Sequence, residues 1–359
     1  MTQITEPKQK RPDSNSRFSG IVPAILTQRV LVLAILLVIV VVVMFTLDGL
    51  GYMSGAYDAD YMASSLISVV PLAMLGLAQL IVIVSGGGAI DLSVGSMVSL
   101  VSMVFGIAYG IWGLPLVLAF IIAVIAGGVL GAINGALVAY AGFPPLIVTL
   151  ATYYAYASLA IVVNHQQPIT SPKIRDFYST AQSVEIPLIG SFSPQIPFGV
   201  FLFLIPSVVI VWYLLNGSPY GRRLYATGTN DVAANWAGIN VAWVRMRAYI
   251  LSGMISGLVA VVTVGQFASA RPDAGNAGNG MALPAITIAI LGGVAITGGI
   301  GRVSGVVLAT LLIVWLNAGI LLLFQGNVGT QLQLLALGVT LVFAALFNGY
   351  TNRRFARVT

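Results

Sequence analysis

Residues 63–84 read ASSLISVVPLAMLGLAQLIVIV, and residues 85–96 continue as SGGGAIDLSVGS. The first stretch has no charged residue and, at 1.5 Å per helical residue, is long enough to cross a hydrocarbon layer about 30 Å thick. It lacks the alternation of apolar and polar side chains that a strand of a membrane barrel needs. The stretch therefore predicts a transmembrane helix that ends at a run of glycines beside one aspartate.

Nine more windows share this character, and the whole chain is 58% hydrophobic and 7% charged. Soluble domains carry roughly a quarter charged residues, so lipid is the main solvent of this chain. Because a backbone in lipid has to satisfy its own polar groups, the windows predict an all-α integral membrane protein with about ten transmembrane helices. The ten windows are residues 30–47, 63–84, 93–111, 114–140, 146–163, 199–215, 248–267, 284–300, 303–324 and 331–348.

The cations indicate the orientation, because Lys and Arg in short loops stay on the cytoplasmic side. With a cytoplasmic N-terminus, thirteen of the sixteen cations fall in inner segments, and only Lys173, Arg175 and Arg271 fall in outer ones. We therefore predict a multi-pass protein with both termini on the cytoplasmic side. A cleaved signal peptide is the alternative interpretation of the basic start, but the apolar run from Val30 is longer than such peptides use.

The spans and the segments between them define the domain organisation. Residues 1–29 are polar and predict a disordered cytoplasmic tail, residues 30–348 form the transmembrane domain, and residues 349–359 form a second cytoplasmic tail. Two connections are longer than a helical hairpin requires, an outer loop at residues 164–198 and an inner loop at residues 216–247. Long loops in compact proteins are usually functional or disordered.

Consecutive glycines interrupt the apolar pattern twice, at residues 85–96 and again at residues 291–302, which read LGGVAITGGIGR. Such runs free backbone groups, which is tolerated at membrane depth only beside protein or a water-filled cavity. Corresponding breaks in two halves of a chain are typical of the substrate path in transporters built from repeats, although these two breaks share little more than Gly-Gly-x-x-Ile. The spaced glycines of residues 127–135 instead predict close helix packing.

Asp91 is the only charged residue between residues 66 and 141. An aspartate at the centre of a lipid-facing helix costs about 2.5–3.5 kcal/mol on insertion scales. Ser93 is placed to cap the helix that follows, and the Asp91 carboxylate to accept from N–H groups of its first turn. Two interpretations stay open for Asp91, an N-cap at the inner membrane surface and a gate of a pathway.

Uncharged polar residues within the windows are Gln79, Asn134, Thr149, Thr152 and Asn317. They can hydrogen-bond a hydroxylated solute or join helices, and helix joining is the more frequent use. The full set of candidates for a translocation pathway and its gate is Gly87, Gly88, Asp91, Ser93, Asn134, Phe143, Pro144, Thr149, Gly292, Gly293 and Asn317.

The inner loop contains a second candidate site. Residues 231–237 predict a short helix of small residues with Asn230 as its N-cap and Gly238 as its stop. Such a helix has too little apolar surface to stand alone, which indicates docking to a partner, with a plain surface connector as the alternative. The candidate docking residues are Gly221, Arg222, Arg223, Ala226, Asn230, Ala233, Ala234, Ala237, Gly238 and Ile239.

Catalytic and nucleotide-binding signatures are missing from the sequence. It has no GxxxxGK[ST] phosphate loop, no paired carboxylates, no metal-ligand cluster and no cysteine. We therefore expect neither ATP hydrolysis by this chain nor a metal centre.

These motifs resemble the permease family of ATP-binding-cassette importers that includes the ribose, xylose and galactoside permeases. Residues 88–96 (GAIDLSVGS) are similar to the family's GGIDLSVGS element, and residues 143–150 (FPPLIVTL) are similar to its PPFIVTL element. Residues 221–239 resemble its cytoplasmic coupling loop, and parts of residues 291–321 continue the likeness. The resemblance covers roughly residues 63–325.

The resemblance implies a transport subunit that translocates a monosaccharide, polyol or similar small polar solute and is not itself an enzyme. The implied partners are a second permease copy or a sister permease, a cytoplasmic ATP-binding-cassette ATPase, and a periplasmic or lipid-anchored solute-binding protein. No cofactor is implied for this chain, since ATP and Mg would be bound by the ATPase subunits. Ala237 stands where the family commonly has Ser. Residues 281–286 replace the family's Glu-Leu pair, and because the Glu is lost, solute contacts do not carry over there.

Two other functions compete with this expectation. An ion-coupled secondary transporter would use Asp91 as its cation or proton site, but the windows hold no basic partner for it. A membrane enzyme ranks third, because catalytic groups are missing.

Overall fold

The computed structural model describes residues 29–180, 183–184, 196–277 and 280–355. The predicted tail at residues 1–29, apart from residue 29 itself, lies outside the described residues. The helices are, in chain order, α1 (Arg29–Gly49), α2 (Ala59–Val84), α3 (Val94–Phe105), α4 (Leu116–Ala139), α5 (Pro145–Val162), α6 (Pro172–Thr180), α7 (Ile205–Asn216), α8 (Pro219–Thr229), α9 (Asp231–Trp236), α10 (Val241–Phe267), α11 (Ala282–Leu291), α12 (Val303–Leu323) and α13 (Asn327–Phe355). Strand β1 (Ser183–Val184) pairs antiparallel with β2 (Ile196–Pro197), and π-helical turns extend α3 over Gly106–Ile111 and precede α7 over Val200–Leu204.

Within the described residues, eight helices are long and apolar enough to cross a membrane, which confirms the all-α integral membrane class. A ninth is added if the pair α7 and α8, bent by 68°, counts as one span. With that pair counted, the one window of the ten that forms no span is residues 284–300, which is helical only as far as Leu291 among the described residues. Glycines end that helix, and the remainder of the window is the second glycine break.

The residues before α11 lie alongside α3 instead of beyond its end. Ala270 packs against Gly106, and the carbonyl of Arg271 accepts a 2.8 Å hydrogen bond from Ser102 Oγ. Gly275 then donates to Ser99 Oγ at 3.0 Å. From residue 270 to residue 275 the chain therefore runs antiparallel to α3, from Gly106 toward Ser99. The segment then continues into α11. A non-helical half followed by a helical half is the form of a discontinuous span.

Helix α2 forms the centre of the bundle and packs against α10, α11 and α12. Helices α4 and α10 meet through glycines with their backbones in contact. A Cβ added at Gly127 would overlap the carbonyl oxygen of Gly253, and one added at Gly131 would overlap that of Tyr249. Glycines spaced by four residues allow this approach, which in lipid replaces hydrophobic attraction between helices. The predicted role of residues 127–135 in close packing is confirmed.

Two of the predicted connecting and terminal segments contain helix. The outer loop contains helix α6, whose Phe177 ring lies 6.2 Å from that of Phe105 on α3. Helix α13 continues to Phe355, past residue 348 where the sequence places the end of the transmembrane domain, so residues 349–355 of the predicted C-terminal tail are helical. Helices α1, α4, α5 and α13 expose large apolar side chains on their outer faces, as lipid contact requires.

Candidate functional site

The backbone of the first glycine break is held by side chains from two neighbouring helices. Gln79 of α2 donates its amide to the Asp91 carbonyl oxygen and accepts from the Asp91 N–H at 3.3 Å. Thr149 of α5 shares its hydroxyl proton between the carbonyl of Pro145, at 2.9 Å, and that of Ile90, at 3.2 Å. These bonds satisfy backbone N–H and C=O groups of the break that have no helical hydrogen-bond partner, as a buried non-helical segment requires. Gln79 and Thr149 therefore fix the break.

The Asp91 side chain is fully buried and makes a turn with Ser93. Its Oδ1 accepts from the Ser93 N–H at 2.9 Å and from the Ser93 hydroxyl at 2.6 Å, the pattern of an Asx turn. Ser93 occupies the N-cap position of α3, but its hydroxyl makes no cap hydrogen bond. The prediction that the Ser93 side chain caps α3 is wrong, because the Ser93 backbone has φ of −84° and ψ of −6° instead of the extended N-cap conformation, and its Oγ accepts from a side chain of α4.

Asn134 of α4 completes this turn by donating Nδ2 to Ser93 Oγ at 2.8 Å. Tyr249 and Ser252 of α10 lie near the Asp91 carboxylate on another side. Four buried oxygens in this cluster have no hydrogen-bond partner among the described residues: Asp91 Oδ2, Asn134 Oδ1, Tyr249 OH and Ser252 Oγ. Buried groups without partners cost free energy and are few in native proteins, so four in one cluster call for an explanation.

The two glycine breaks meet at the end of α8. The N–H of Gly299 donates to the Val84 carbonyl at 3.0 Å, and Gly86 lies against both Gly228 of α8 and Gly298. A Cβ added at Gly228 would overlap the Val84 oxygen and lie 2.5 Å from the Gly299 nitrogen. We name the contact of Gly86, Gly228, Gly298 and Gly299 the glycine junction. It joins the inner loop directly to both breaks.

The other glycines predicted for the gate lie beside this junction. Gly87 packs against the Arg245 guanidinium, whereas Gly88 has open space around its Cα. Gly292 packs against the backbone of Gly305 at the start of α12. Gly87, Gly88 and Gly293 have φ of +68°, +70° and +89°, a conformation that favours glycine.

A cavity of about 280 Å³ opens between the first break, α5 and the discontinuous span. Leu92 lines it from the break and Tyr153 from α5, while Asn276 and Met281 line it from the segment that enters α11. The cavity lining is mostly apolar, with a tyrosine and an asparagine among its polar groups. A mostly apolar hollow with a few placed polar groups is the usual form of a small-molecule site.

None of the eleven residues predicted for the pathway and its gate lines this cavity. Three of them also lie outside both glycine breaks and the Asp91 cluster. Phe143 and Pro144 are exposed at the start of α5. Asn317 lies on α12, where its carbonyl accepts from Gln333 of α13 at 3.0 Å. Sequence likeness singled them out, but the geometry separates them from the Asp91 cluster.

The inner loop forms two helices, α8 and α9, where the sequence predicted one. Asn230 accepts from the Ala233 N–H at 2.9 Å and caps α9, and Gly238 ends it with φ of +81°, as predicted. Among the predicted docking residues, Gly221 and Ala234 are buried and Ile239 is half-buried; Arg222, Arg223, Ala226, Asn230, Ala233, Ala237 and Gly238 are exposed.

Two apolar side chains that the sequence reasoning did not select stand out on α9. Trp236 is 88% exposed and Val232 is 63% exposed. Their neighbours Asn235, Ile239 and Arg245 line an open groove of about 730 Å³. A tryptophan among the polar residues around Asn230 was a signal that the sequence offered.

No group of three or more His, Cys, Asp or Glu side chains suited to a metal ion occurs in the described part of the chain. No solved structure matches the chain.

Comparison with known proteins gives a consistent result. A family described as "Branched-chain amino acid transport system / permease component" matches residues 61–345. The autoinducer 2 import system permease protein LsrD of Photorhabdus laumondii is 31% identical over 297 residues, which cover 80% of this chain and 83% of that protein. Its namesake from Yersinia enterocolitica is 32% identical over 272 residues, 75% of this chain and 78% of that protein.

The apolar helices and these relatives together place the chain in the bacterial inner membrane as a multi-pass protein. The chain belongs to this permease family, as the membrane-spanning transport subunit of a sugar-type ATP-binding-cassette importer and not as an enzyme.

Proposed function

We propose that the chain translocates a small hydroxylated solute, such as a monosaccharide or polyol, through the cavity beside the first glycine break. The observation that carries this proposal is the position of the cavity, which Leu92 lines only one residue after Asp91. The Tyr153 ring offers an apolar face to the C–H side of a sugar, and the Asn276 amide offers a donor and an acceptor to its hydroxyls. Its volume of about 280 Å³ has room for such a solute.

The relatives support the same solute class, since their names describe import of autoinducer 2, a small polar solute. The cavity needs to bind only weakly, because a periplasmic or lipid-anchored binding protein supplies selectivity. Below the cavity, the Asp91 cluster and the glycine junction form the gate toward the cytoplasm. Both termini and the inner loop lie on that side, in agreement with the distribution of cations.

The cavity proposal predicts that Tyr153→Ala and Asn276→Ala raise KM for uptake by roughly five- to tenfold in the assembled importer, because each removes a contact worth about 1 kcal/mol. The measurement is uptake of radiolabelled ribose, xylose, galactose and sorbitol into vesicles, normalised to inserted protein. Tyr140→Ala is the matched control, since Tyr140 is exposed and outside the cavity lining. Equal KM values in all variants contradict the proposal.

The partner that drives transport is, in this proposal, a cytoplasmic ATP-binding-cassette ATPase that docks on α8 and α9 and binds ATP and Mg. Support comes from Trp236 and Val232, apolar side chains exposed beside the open groove. Exposed apolar groups rimmed by polar residues are typical of protein interaction sites. A second permease copy or a sister permease covers part of the exposed apolar face of the bundle.

Docking can be tested with single cysteines, because the chain has none of its own. Cysteines at Ala226, Ala233 and Ala237, all exposed, are expected to crosslink to the ATPase subunit and to react with maleimide only from the cytoplasmic side. A cysteine at Ala234, which is 5% exposed, is the matched control and should do neither. Labelling of the three sites from the periplasm of intact cells contradicts both the orientation and the docking site.

A further inference from the structure

Arg245 lies in the first turns of α10 and contacts both the docking helix and the first glycine break. Its Nη2 is 3.0 Å from Oδ2 of Asp231, the first residue of α9. A Cβ added at Gly87 would lie 2.8 Å from the same Nη2 and 2.9 Å from Cζ. The guanidinium is therefore wedged between α9 and the backbone of the break.

The ion pair differs from an ordinary surface pair. The Arg245 side chain is only 17% exposed, while that of Asp231 is 48% exposed. Exposed pairs contribute little to stability, but a largely buried guanidinium depends on the partners it keeps. Moreover, Nε of Arg245 is buried without a hydrogen-bond partner among the described residues. A donor that is unused in this conformation is available to a partner in another.

One face of α10 connects this pair to the Asp91 cluster. Arg245, Tyr249 and Ser252 are spaced by four and three residues and so lie on the same side of the helix. Tyr249 lies near both Arg245 and Asp91, and Ser252 lies near Asp91. This face of α10 therefore runs along the first glycine break, from Gly87 to the buried carboxylate of Asp91.

We propose that Arg245 is the positioning residue that transmits movement of the ATPase-docking helix α9, through Asp231, to the first glycine break. The proposal rests on the proposed docking of the ATPase at α8 and α9. When the partner moves α9, Asp231 displaces the guanidinium, and the guanidinium displaces the Gly87 backbone against which it packs. Gly87 accepts the guanidinium because it has no Cβ, and its φ of +68° suits glycine.

The test measures the accessibility of the first glycine break itself, so the solute does not have to be known. A single cysteine replaces Leu92, which lines the cavity next to Asp91, and its rate of labelling by maleimide is measured in the assembled importer without nucleotide and after trapping with ATP and vanadate. A second preparation carries a cysteine at Ala233 and reports docking by crosslinking. Both are made with Arg245→Gln, Arg245→Lys and Asp231→Asn. Arg247→Gln is the matched control, because Arg247 is on the same helix and packs on the Trp243 ring at 4.6 Å instead.

We expect trapping to change the Leu92→Cys labelling rate at least fivefold in the parent and in Arg247→Gln, and less than twofold in Arg245→Gln. Arg245→Lys, which keeps the charge, and Asp231→Asn should give intermediate responses, with Ala233→Cys crosslinking retained throughout. A parent-like response in Arg245→Gln, or an equal loss in Arg247→Gln, overturns the proposal. Loss of crosslinking in the Arg245 variants also overturns it, since Arg245 would then serve docking. Failure of crosslinking in the parent refutes instead the docking site itself.

Discussion

Replacing Gly228 by alanine is expected to abolish at least nine-tenths of solute uptake while the protein still inserts into the membrane. The added methyl would overlap the Val84 carbonyl oxygen, which accepts the hydrogen bond from Gly299 that joins the two breaks. Overpacking of this kind costs about 1–3 kcal/mol, and every 1.4 kcal/mol is tenfold in an equilibrium. The strain falls on the glycine junction, so it should shift the gate between its states.

The measurement is ATP-driven uptake by the assembled importer, normalised to inserted protein. Gly338→Ala is the matched control, because Gly338 lies on an exposed face of α13 with open space around its Cα. That variant should transport at the parental rate. Parental uptake by Gly228→Ala shows that α8 does not need close contact with the breaks.

Asp91→Asn is expected to insert normally and to lower uptake by about tenfold. The amide keeps an acceptor oxygen for the Ser93 N–H and hydroxyl, but both hydrogen bonds lose the negative charge that strengthens them. Hydrogen bonds to charged groups exceed neutral ones by about 1–2 kcal/mol, enough to shift a gate whose states differ by a few kcal/mol. Insertion survives because removal of a charge makes the segment more compatible with lipid.

Asp58→Asn provides the matched comparison, since Asp58 caps α2 by accepting from the Tyr61 N–H at 2.8 Å in an exposed position. Asparagine is an equally good cap at such a site, so uptake should not change. If both variants transport like the parent, Asp91 is a dispensable turn residue and does not belong to the gate.

The sequence predicted the elements that depend on residues close together in the chain. Apolar windows of sufficient length predicted the long helices, and Asn230 and Gly238 predicted the beginning and end of α9. The glycines of residues 127–135 predicted close packing, which the contacts of Gly127 and Gly131 with α10 confirm.

The elements it missed depend on contacts between distant parts of the chain. Residues 270–277 are polar enough to indicate an outer loop, yet Ser99 and Ser102 of α3 supply the hydrogen bonds that hold the segment alongside that helix. Gln79 was recognised as a polar residue within a span, but only the fold shows that it pairs with both backbone groups of Asp91. Arg245 contributed only to the predicted orientation, because its position between Asp231 and Gly87 requires the packing of α10 against the break.

The central claim is that this chain is the transport subunit of an ATP-driven importer and is not driven by an ion gradient. The most direct measurement is uptake of a radiolabelled sugar panel and autoinducer 2 by proteoliposomes that hold either the chain alone or the chain with its ATPase and binding protein. We expect concentrative uptake only in the complete assembly with ATP and Mg, and neither ATP hydrolysis nor gradient-driven uptake by the chain alone. Strong uptake by the chain alone under a sodium or proton gradient would contradict the claim and assign Asp91 to an ion site.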